Sequence, residues 1–385
     1  MLIVADENIP LLDSFFGDMG DIRRVPGRTM TAEQVRDADI LLVRSVTQVG
    51  PRLLEGSRVR FVGTATIGTD HIDLDWLEQQ GIAFSAAPGC NANSVVEYVL
   101  SVVLLHAERK GLDDWSSLSV GVVGVGSVGG KVARKLERLG FDVHLCDPPR
   151  AEDPDDEDAE GFESLADVLK CDVVTLHTPL TRDQAHATYH MIGAEELSLL
   201  RSPQLLISAG RGAVVDCQSL SDRLDQPDAP AVALDVWEPE PAVDPALMDK
   251  VWLATPHIAG YSLEGKVHGT EMVYQALSRY LGLPVRKKSG QFLPEPALNK
   301  VSFTSSADEA DALRISLLSC YDPRRDDARM RVAIRGDEAE RSKAFDRLRR
   351  DYPVRRECSS LKVQLKGTSK SLQDSFRAIG FKIKI

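Results

Sequence analysis

Residues 119–130, SVGVVGVGSVGG, constrain the fold more than any other part of the chain. An apolar run suited to a strand passes into closely spaced glycines and then into helical spacing, which sets Gly124, Gly126 and Gly129 in a GxGxxG pattern. In a strand–turn–helix unit the first glycine permits the tight turn. The second lets the backbone approach a pyrophosphate, and the third lets helix and strand pack closely. The helix N-terminus then presents free N–H groups to the anion. The pattern acquires meaning from what surrounds it.

The sequence that follows supports a dinucleotide fold. Val128, Val132, Leu136 and Leu139 recur at helical spacing, and Gly140 stands where a helix would end. The next run, FDVHLCD, reads as a strand ending in Asp147, 18 residues beyond Gly129. That is where this fold places the acid that bonds the ribose hydroxyls of NAD. Asp147 would repel a 2′-phosphate and so favours NAD over NADP, although Arg150 nearby weakens the exclusion. Residues 151–163, AEDPDDEDAEGFE, hold eight acids and read as a solvated loop rather than a site. Apolar runs at 172–176, 205–208, 231–236 and 251–254 then bring the strands of this segment to six, the count of a complete doubly wound domain.

Residues 1–93 carry short apolar runs (2–5, 40–43, 59–63, 82–84) separated by helical or turn segments, which suit parallel strands of a small α/β lobe. Polar turns follow two of them, Arg44-Ser45 and residues 64–66. Ser94 with Glu97, just before an apolar run, predicts a capping box at the start of a long helix. From about residue 260 the chain is helical, and GLPVRKKSGQFLPEP reads as a linker. Residues 297–385 alternate helical patterns (308–318, 338–352, 369–379) with strand-like runs (330–334, 361–365, 381–385). They contain no glycine turn or metal-type spacing, so regulation or oligomerisation is expected of them rather than catalysis.

Composition narrows the partners. A formal net charge of −12 over 385 residues argues against general affinity for nucleic acid or anionic membrane. An anionic ligand must therefore be met locally. The six cysteines are scattered with no CxxC pair, as expected of reduced thiols, and no metal is expected. MLIVADENIP lacks the pattern of a signal peptide, and the apolar stretch 95–107 is too short to span a bilayer, so a cytoplasmic protein is expected.

Three polar residues fall at or after strand ends in the dinucleotide segment: Arg211 in LLISAGRGAVVD, Glu240 in ALDVWEPEP and His257 in LATPHIAGYS. Singly, each is an ordinary surface or structural residue. Together they suit oxidation of an alcohol. A histidine can take the hydroxyl proton while the carbon gives hydride to nicotinamide. A glutamate beside it would favour the imidazolium and fix the ring. An arginine can hold a carboxylate bidentately and polarise the carbonyl formed next to it. The substrate would be a 2-hydroxy acid.

GVGSVG, Asp147, SAGRG, DVWEPEP and TPHIAGYS, in this order, resemble the D-isomer-specific 2-hydroxyacid dehydrogenases over roughly residues 1–285. The resemblance implies Arg211, Glu240 and His257 as catalytic residues. It implies NAD contacts from Gly124, Gly126, Ser127, Val128, Gly129, Asp147, Thr178, Ala209, Gly210, Arg211, Asp235 and Gly260. It implies a doubly wound Rossmann domain at 94–257 and a flavodoxin-like α/β substrate lobe formed by 1–93 with 258–285, closing over the cofactor. A C-terminal α/β domain at 286–385 completes the expectation. Within the family, TATIGTDHID, APGCNANSVVEYV and HIAGYS, with the C-terminal domain, are similar to the branch that oxidises 4-phospho-D-erythronate in pyridoxal phosphate biosynthesis. That likeness implies substrate contacts from Ser45, Thr66 and Tyr261, and dimerisation through the C-terminal domain. Arg44 is a plausible partner for the phosphate. Another D-2-hydroxy acid such as 3-phosphoglycerate is the same-class alternative. A non-catalytic NAD sensor has no need of His257, and a methyltransferase fits poorly with six strands and a late histidine.

Overall fold

The computed structural model describes residues 1–385. The chain forms two compact units, residues 1–91 with 262–295 and residues 92–261 with 296–385.

The first unit is built on five parallel strands: β1 (Leu2–Asp6), β2 (Asp21–Val25), β3 (Ile40–Val43), β4 (Phe61–Thr64) and β5 (Ala83–Ser85), in the order β2-β1-β3-β4-β5. This is the flavodoxin-like arrangement. Alternate residues along β1 and β3 enter opposite cores. Ile3, Ala5, Ile40 and Leu42 face one side, with the helix Leu263–Tyr280, while Val4, Leu41 and Val43 face the other. Burial on both faces explains why β3 reads as an unbroken apolar run. β2 gave no such signal, because DIRRV is an edge strand in which only Val25 is buried.

The second unit holds β6 (Ser119–Val123), β7 (Asp142–Cys146), β8 (Val173–Leu176), β9 (Leu205–Ser208), β10 (Ala231–Leu234) and β11 (Leu253–Ala254), all parallel, in the order β11-β10-β9-β8-β6-β7. The direction of winding reverses between β6 and β8, so the crevice beyond their C-terminal ends lies at the glycine turn. Beyond β6 there is one strand, not the two of the full doubly wound order. The acidic segment offers no apolar run to continue the sheet past β7; it forms short turns of helix, and Glu163 N–H bonds Leu145 O at 2.7 Å.

The C-terminal domain carries three parallel strands, β12 (Lys300–Thr304), β13 (Lys362–Lys366) and β14 (Lys382–Lys384), with four helices. Two expectations are corrected here. Residues 330–334 are not a strand but the end of the helix Pro323–Ala333 and its cap. Asp322 caps that helix and Pro323 occupies its first turn; Met330 and Ile334, one turn apart, are buried while Val332 is 78% exposed. The domain also does not stand apart beyond a linker. Leu361, Val363, Leu365 and Phe376 share a core with the helix Ala92–Arg109 and with Val120 and Val122 of β6, and Met330 and Phe345 join the core on the other face of the sheet.

Ser94 and Glu97 are likewise not a capping box. The helix already begins at Ala92, and both residues are buried against the C-terminal domain. Ser94 Oγ donates to Glu357 Oε1 at 3.2 Å, and Glu97 Oε1 accepts from Cys358 N–H at 2.7 Å. Arg355, itself buried, donates to Ser94 O at 2.7 Å and lies 3.7 Å from Glu97 Oε2. Burial, reinforced by the neighbouring Glu357 charge, pushes Glu97 up to about 8. All six cysteines are free. No helix is long and apolar enough to cross a membrane.

This cluster makes stability depend on pH. Folded Glu97 retains a proton that the unfolded chain releases above its ordinary carboxyl range, so its contribution is complete at acid pH and is lost as pH rises toward about 8. Glu97→Gln, which mimics the protonated form, should flatten the fall in unfolding free energy between pH 6 and 8, where this group adds a slope of at most about 1.4 kcal/mol per pH unit. Urea titrations at the two pH values measure it. Equal slopes in wild type and variant would remove Glu97 as the titrating group.

Candidate active site

Three neighbouring strands deliver the three candidate residues. β9 runs into Ala209-Gly210-Arg211, β10 into Asp235 and the loop carrying Glu240, and β11 into Thr255-Pro256-His257. The loops after adjacent strand ends are neighbours without long-range ordering, and they bring His257 and Glu240 into contact.

The loops are pinned to one another by backbone groups. Gly212 lies where any Cβ would overlap the Trp237 carbonyl, so the Arg211 turn can press against the Glu240 loop only with glycine there. Trp237 Nε1–H donates to Thr255 O at 2.9 Å, which ties that loop to the end of β11. His257 N–H donates to Asp235 O at 2.7 Å. His257 itself adopts φ 56°, a left-handed conformation uncommon outside glycine. The Asp235 carboxylate holds it there. Fully buried, it accepts from Thr255 Oγ1 at 2.7 Å and from the N–H groups of Ile258 and Ala259 at 2.8 Å each.

With the loop so fixed, His257 Nδ1 lies 2.8 Å from Glu240 Oε2, while Glu240 Oε1 accepts from Trp237 N–H at 3.0 Å. Burial works to raise the Glu240 carboxyl, but the His257 ring, the Arg349 guanidinium and the Trp237 N–H outweigh it and hold the group below the usual carboxylate range. Glu240 is therefore ionised throughout the neutral range. The His257 side chain remains 31% exposed. Arg211 Nη1 donates to Gly210 O at 3.0 Å.

The glycine turn fits a dinucleotide. Gly124 has φ 84°, and a Cβ there would stand 2.8 Å from Thr178 N. A Cβ on Gly129 would overlap the Gly124 carbonyl. At Gly126 a Cβ would meet nothing within 4 Å, which leaves open space where a phosphate approaches the backbone. Ser127 and Val128 complete the turn into the helix Gly129–Arg138. Beside it, Thr178 Oγ1 is buried with no hydrogen-bond partner. Asp147 Oδ2 accepts from Val125 N–H at 2.7 Å, which fixes the carboxylate against the turn.

Arg150 differs from its expected part. Its Nε and Nη2 grip Asp156 at 2.6 and 2.9 Å, Nη2 reaches Asp158 at 3.1 Å, and Nη1 donates to Val125 O at 3.0 Å. The guanidinium is therefore engaged on three sides, by two carboxylates and a carbonyl. The acidic segment, read from sequence as a solvated loop, supplies both carboxylates.

Gly260 and Tyr261 continue from His257. The Tyr261 ring meets Tyr352 of the C-terminal domain edge-on, centroids 5.8 Å apart, and the Arg349 guanidinium lies 5.7 Å from its centroid. Sequence reading missed Arg349. The only signal was the basic run RLRR closing the helix Glu338–Arg350.

Ser45, Thr66 and Arg44 belong to the first unit, after β3 and β4. Ser45 is exposed. Thr66 Oγ1 is 2.8 Å from Thr64 Oγ1, which in turn meets His71 Nε2 at 3.0 Å. Arg44 grips buried Asp6 through Nε at 3.0 Å and Nη2 at 3.4 Å, so its charge is already balanced.

Residues 105–259 match the family model described as D-isomer specific 2-hydroxyacid dehydrogenase, NAD binding domain, and residues 292–380 match a domain of unknown function (DUF3410). Among solved structures, the fold resembles D-lactate dehydrogenase from Aquifex aeolicus, complexed with NAD and lactic acid, with TM-score 0.58 and 24% identity over 73% of this chain and 96% of that one. Over its whole length the chain is 72% identical to erythronate-4-phosphate dehydrogenase of Marinobacter nauticus, covering 100% of both. It is 50% identical to the enzyme of the same name from Chromohalobacter salexigens, covering 100% of this chain and 99% of that one. The chain thus belongs to the erythronate-4-phosphate dehydrogenase family of the D-isomer-specific 2-hydroxyacid dehydrogenases.

Proposed function

We propose that the chain oxidises 4-phospho-D-erythronate with NAD to (R)-3-hydroxy-2-oxo-4-phosphooxybutanoate, a step of pyridoxal 5′-phosphate biosynthesis, in the cytoplasm. The observation that carries the reaction type is the 2.8 Å pair of His257 Nδ1 and Glu240 Oε2 beside the Arg211 turn. Full-length similarity to the two named relatives supports the substrate.

Glu240, ionised, takes the hydrogen bond of Nδ1–H and so leaves His257 Nε2 as the nitrogen with a free lone pair. Nε2 removes the proton of the 2-hydroxyl, and Glu240 stabilises the imidazolium that results. Arg211 holds the substrate carboxylate and stabilises the 2-oxo group as it forms. Bound NAD supplies the hydride acceptor. The N–H groups of the turn from Gly124 to Gly129, with Ser127 and Val128, would hold its pyrophosphate and Asp147 its ribose hydroxyls. Thr178, Ala209, Gly210, Arg211, Asp235 and Gly260 would line the rest. Ser45, Thr66 and Tyr261 contact the substrate, with residues 1–93 and 258–285 acting as its lobe. The C-terminal domain makes the chain a homodimer.

NADH formation from a panel of 2-hydroxy acids tests the reading, with faster turnover expected on 4-phospho-D-erythronate than on 3-phosphoglycerate; the reverse order would overturn the substrate. His257→Ala should lower kcat about 10²- to 10⁴-fold, while NAD affinity, followed by fluorescence, stays within about twofold. Turnover near the wild-type rate would take His257 out of the mechanism.

Cofactor choice gives a further test. Asp147→Ser alone should relax the preference for NAD+ only in part, because Arg150 remains bound to Asp156 and Asp158. Adding Asp156→Asn and Asp158→Asn together should free Arg150 for the 2′-phosphate and strengthen NADP+ binding by about tenfold more, the gain of a charged hydrogen bond. Direct titration with each dinucleotide distinguishes the two variants, and identical NADP+ affinities would show that the clamp has no influence.

A further inference from the structure

The substrate proposed above has two anionic ends. Its carboxylate carries one charge and its phosphate monoester about −1.5 to −2 at neutral pH. Arg211 and His257 account for the end that reacts. A chain of net charge −12 must supply a second cation locally for the other. Arg44 is poorly suited, since its guanidinium already grips the fully buried carboxylate of Asp6.

Arg349 is in a different situation. It lies in the last turn of the helix Glu338–Arg350, where a cation is favoured by the helix dipole. Its neighbour Arg350 turns outward and is forked onto Asp351 at 2.8 and 3.0 Å, and Arg347 is exposed. Arg349 instead turns inward, 5.8 Å from the Phe345 ring and 5.7 Å from that of Tyr261. Its guanidinium shares a hydrogen bond with Tyr261, while its Nε is buried without a hydrogen-bond partner. Glu240 feels its charge. A guanidinium bonded to Tyr261, beside the His257–Glu240 pair and with one donor still unspent, is an incomplete site whose planar donors are fixed by packing.

We propose that Arg349 binds the phosphate group of the substrate, so that the C-terminal domain supplies a substrate-binding cation to the site formed by the rest of its own unit. The domain is then part of the specificity of the reaction. This assignment rests on the substrate reading above, and the experiment separates the two.

Steady-state kinetics on 4-phospho-D-erythronate and on D-erythronate, which lacks the phosphate, are measured for wild type, Arg349→Gln and Arg349→Lys, with NAD+ affinity read separately by fluorescence. Arg349→Gln should raise KM for the phosphorylated acid by about 10- to 100-fold, the range of a charged hydrogen bond. It should lower kcat/KM for D-erythronate by far less than for the phosphorylated acid, leave NAD+ affinity within about threefold, and inorganic phosphate should cease to compete. Arg349→Lys should restore part of the loss. Should the glutamine variant be unstable, Arg349→Met, which keeps the stem against Phe345, gives the same comparison. An equal fall in kcat on both acids with KM unchanged would mean that Arg349 only positions Glu240 and would overturn the proposal. So would an unchanged preference for the phosphorylated acid. A wild type without that preference would instead overturn the substrate reading.

Discussion

The buried carboxylate of Asp235 is the constraint on which the candidate site depends. A left-handed conformation at His257 is unfavourable for a side chain with a Cβ, by about 1–3 kcal/mol, and an isolated loop would relax out of it. Three donors converge on Asp235 from Thr255, Ile258 and Ala259, the residues on either side of His257. To relax, the loop would have to leave that carboxylate buried and unpaired, a larger loss than the strain it relieves. The ring is thereby held against Glu240 before any ligand arrives.

The same loop is fastened from its other side. Arg355 donates through Nη1 to Ala259 O at 3.0 Å and through Nη2 to Ser94 O at 2.7 Å, and its guanidinium lies 3.8 Å from the Tyr321 ring centroid. Two residues from His257, the chain is therefore bound to Asp235 by its N–H and to Arg355 by its carbonyl. The long helix Ala92–Arg109 shares this bridge through Ser94 and Glu97, and the C-terminal strand β13 shares its core. Residues 296–385 are thus mechanically part of the dinucleotide unit. An expectation of regulation or oligomerisation left that role out.

Much of the fold was legible because its signals are local. The glycine turn, Asp147 at the end of the next strand and the three polar residues after β9, β10 and β11 are each set by spacing within one βα unit. What the sequence did not show depends on pairing at a distance. β2 is an edge strand with one buried residue, so no apolar run marks it. Residues 330–334 alternate like a strand, yet Met330 and Ile334 are also one helical turn apart, and Pro323 with its Asp322 cap decides for helix. Ser94 and Glu97 have capping-box spacing but serve a partner more than 260 residues away, since Ser94 meets Glu357 and Glu97 meets Cys358. Arg349 had no motif to announce it.

The distribution of cations across this acidic chain follows one rule. Arginines near the candidate ligands differ in what already holds them, and that difference, more than proximity, sets what each can do. Arg150 stands beside the ribose acid but is saturated by Asp156, Asp158 and a carbonyl, so it offers nothing to a 2′-phosphate. Arg44 follows a strand end but is balanced by Asp6. Arg355 is surrounded by carbonyls and an acid and is structural. A guanidinium with its donors already spent pays for no new anion, because exchanging one partner for another gains little. Arg349 has Nε unspent, and the acid whose charge it feels, Glu240, is bonded to His257 and Trp237 rather than to it. In a protein whose net charge repels anions, selectivity for a phosphorylated acid then rests on which arginine has been left without a carboxylate.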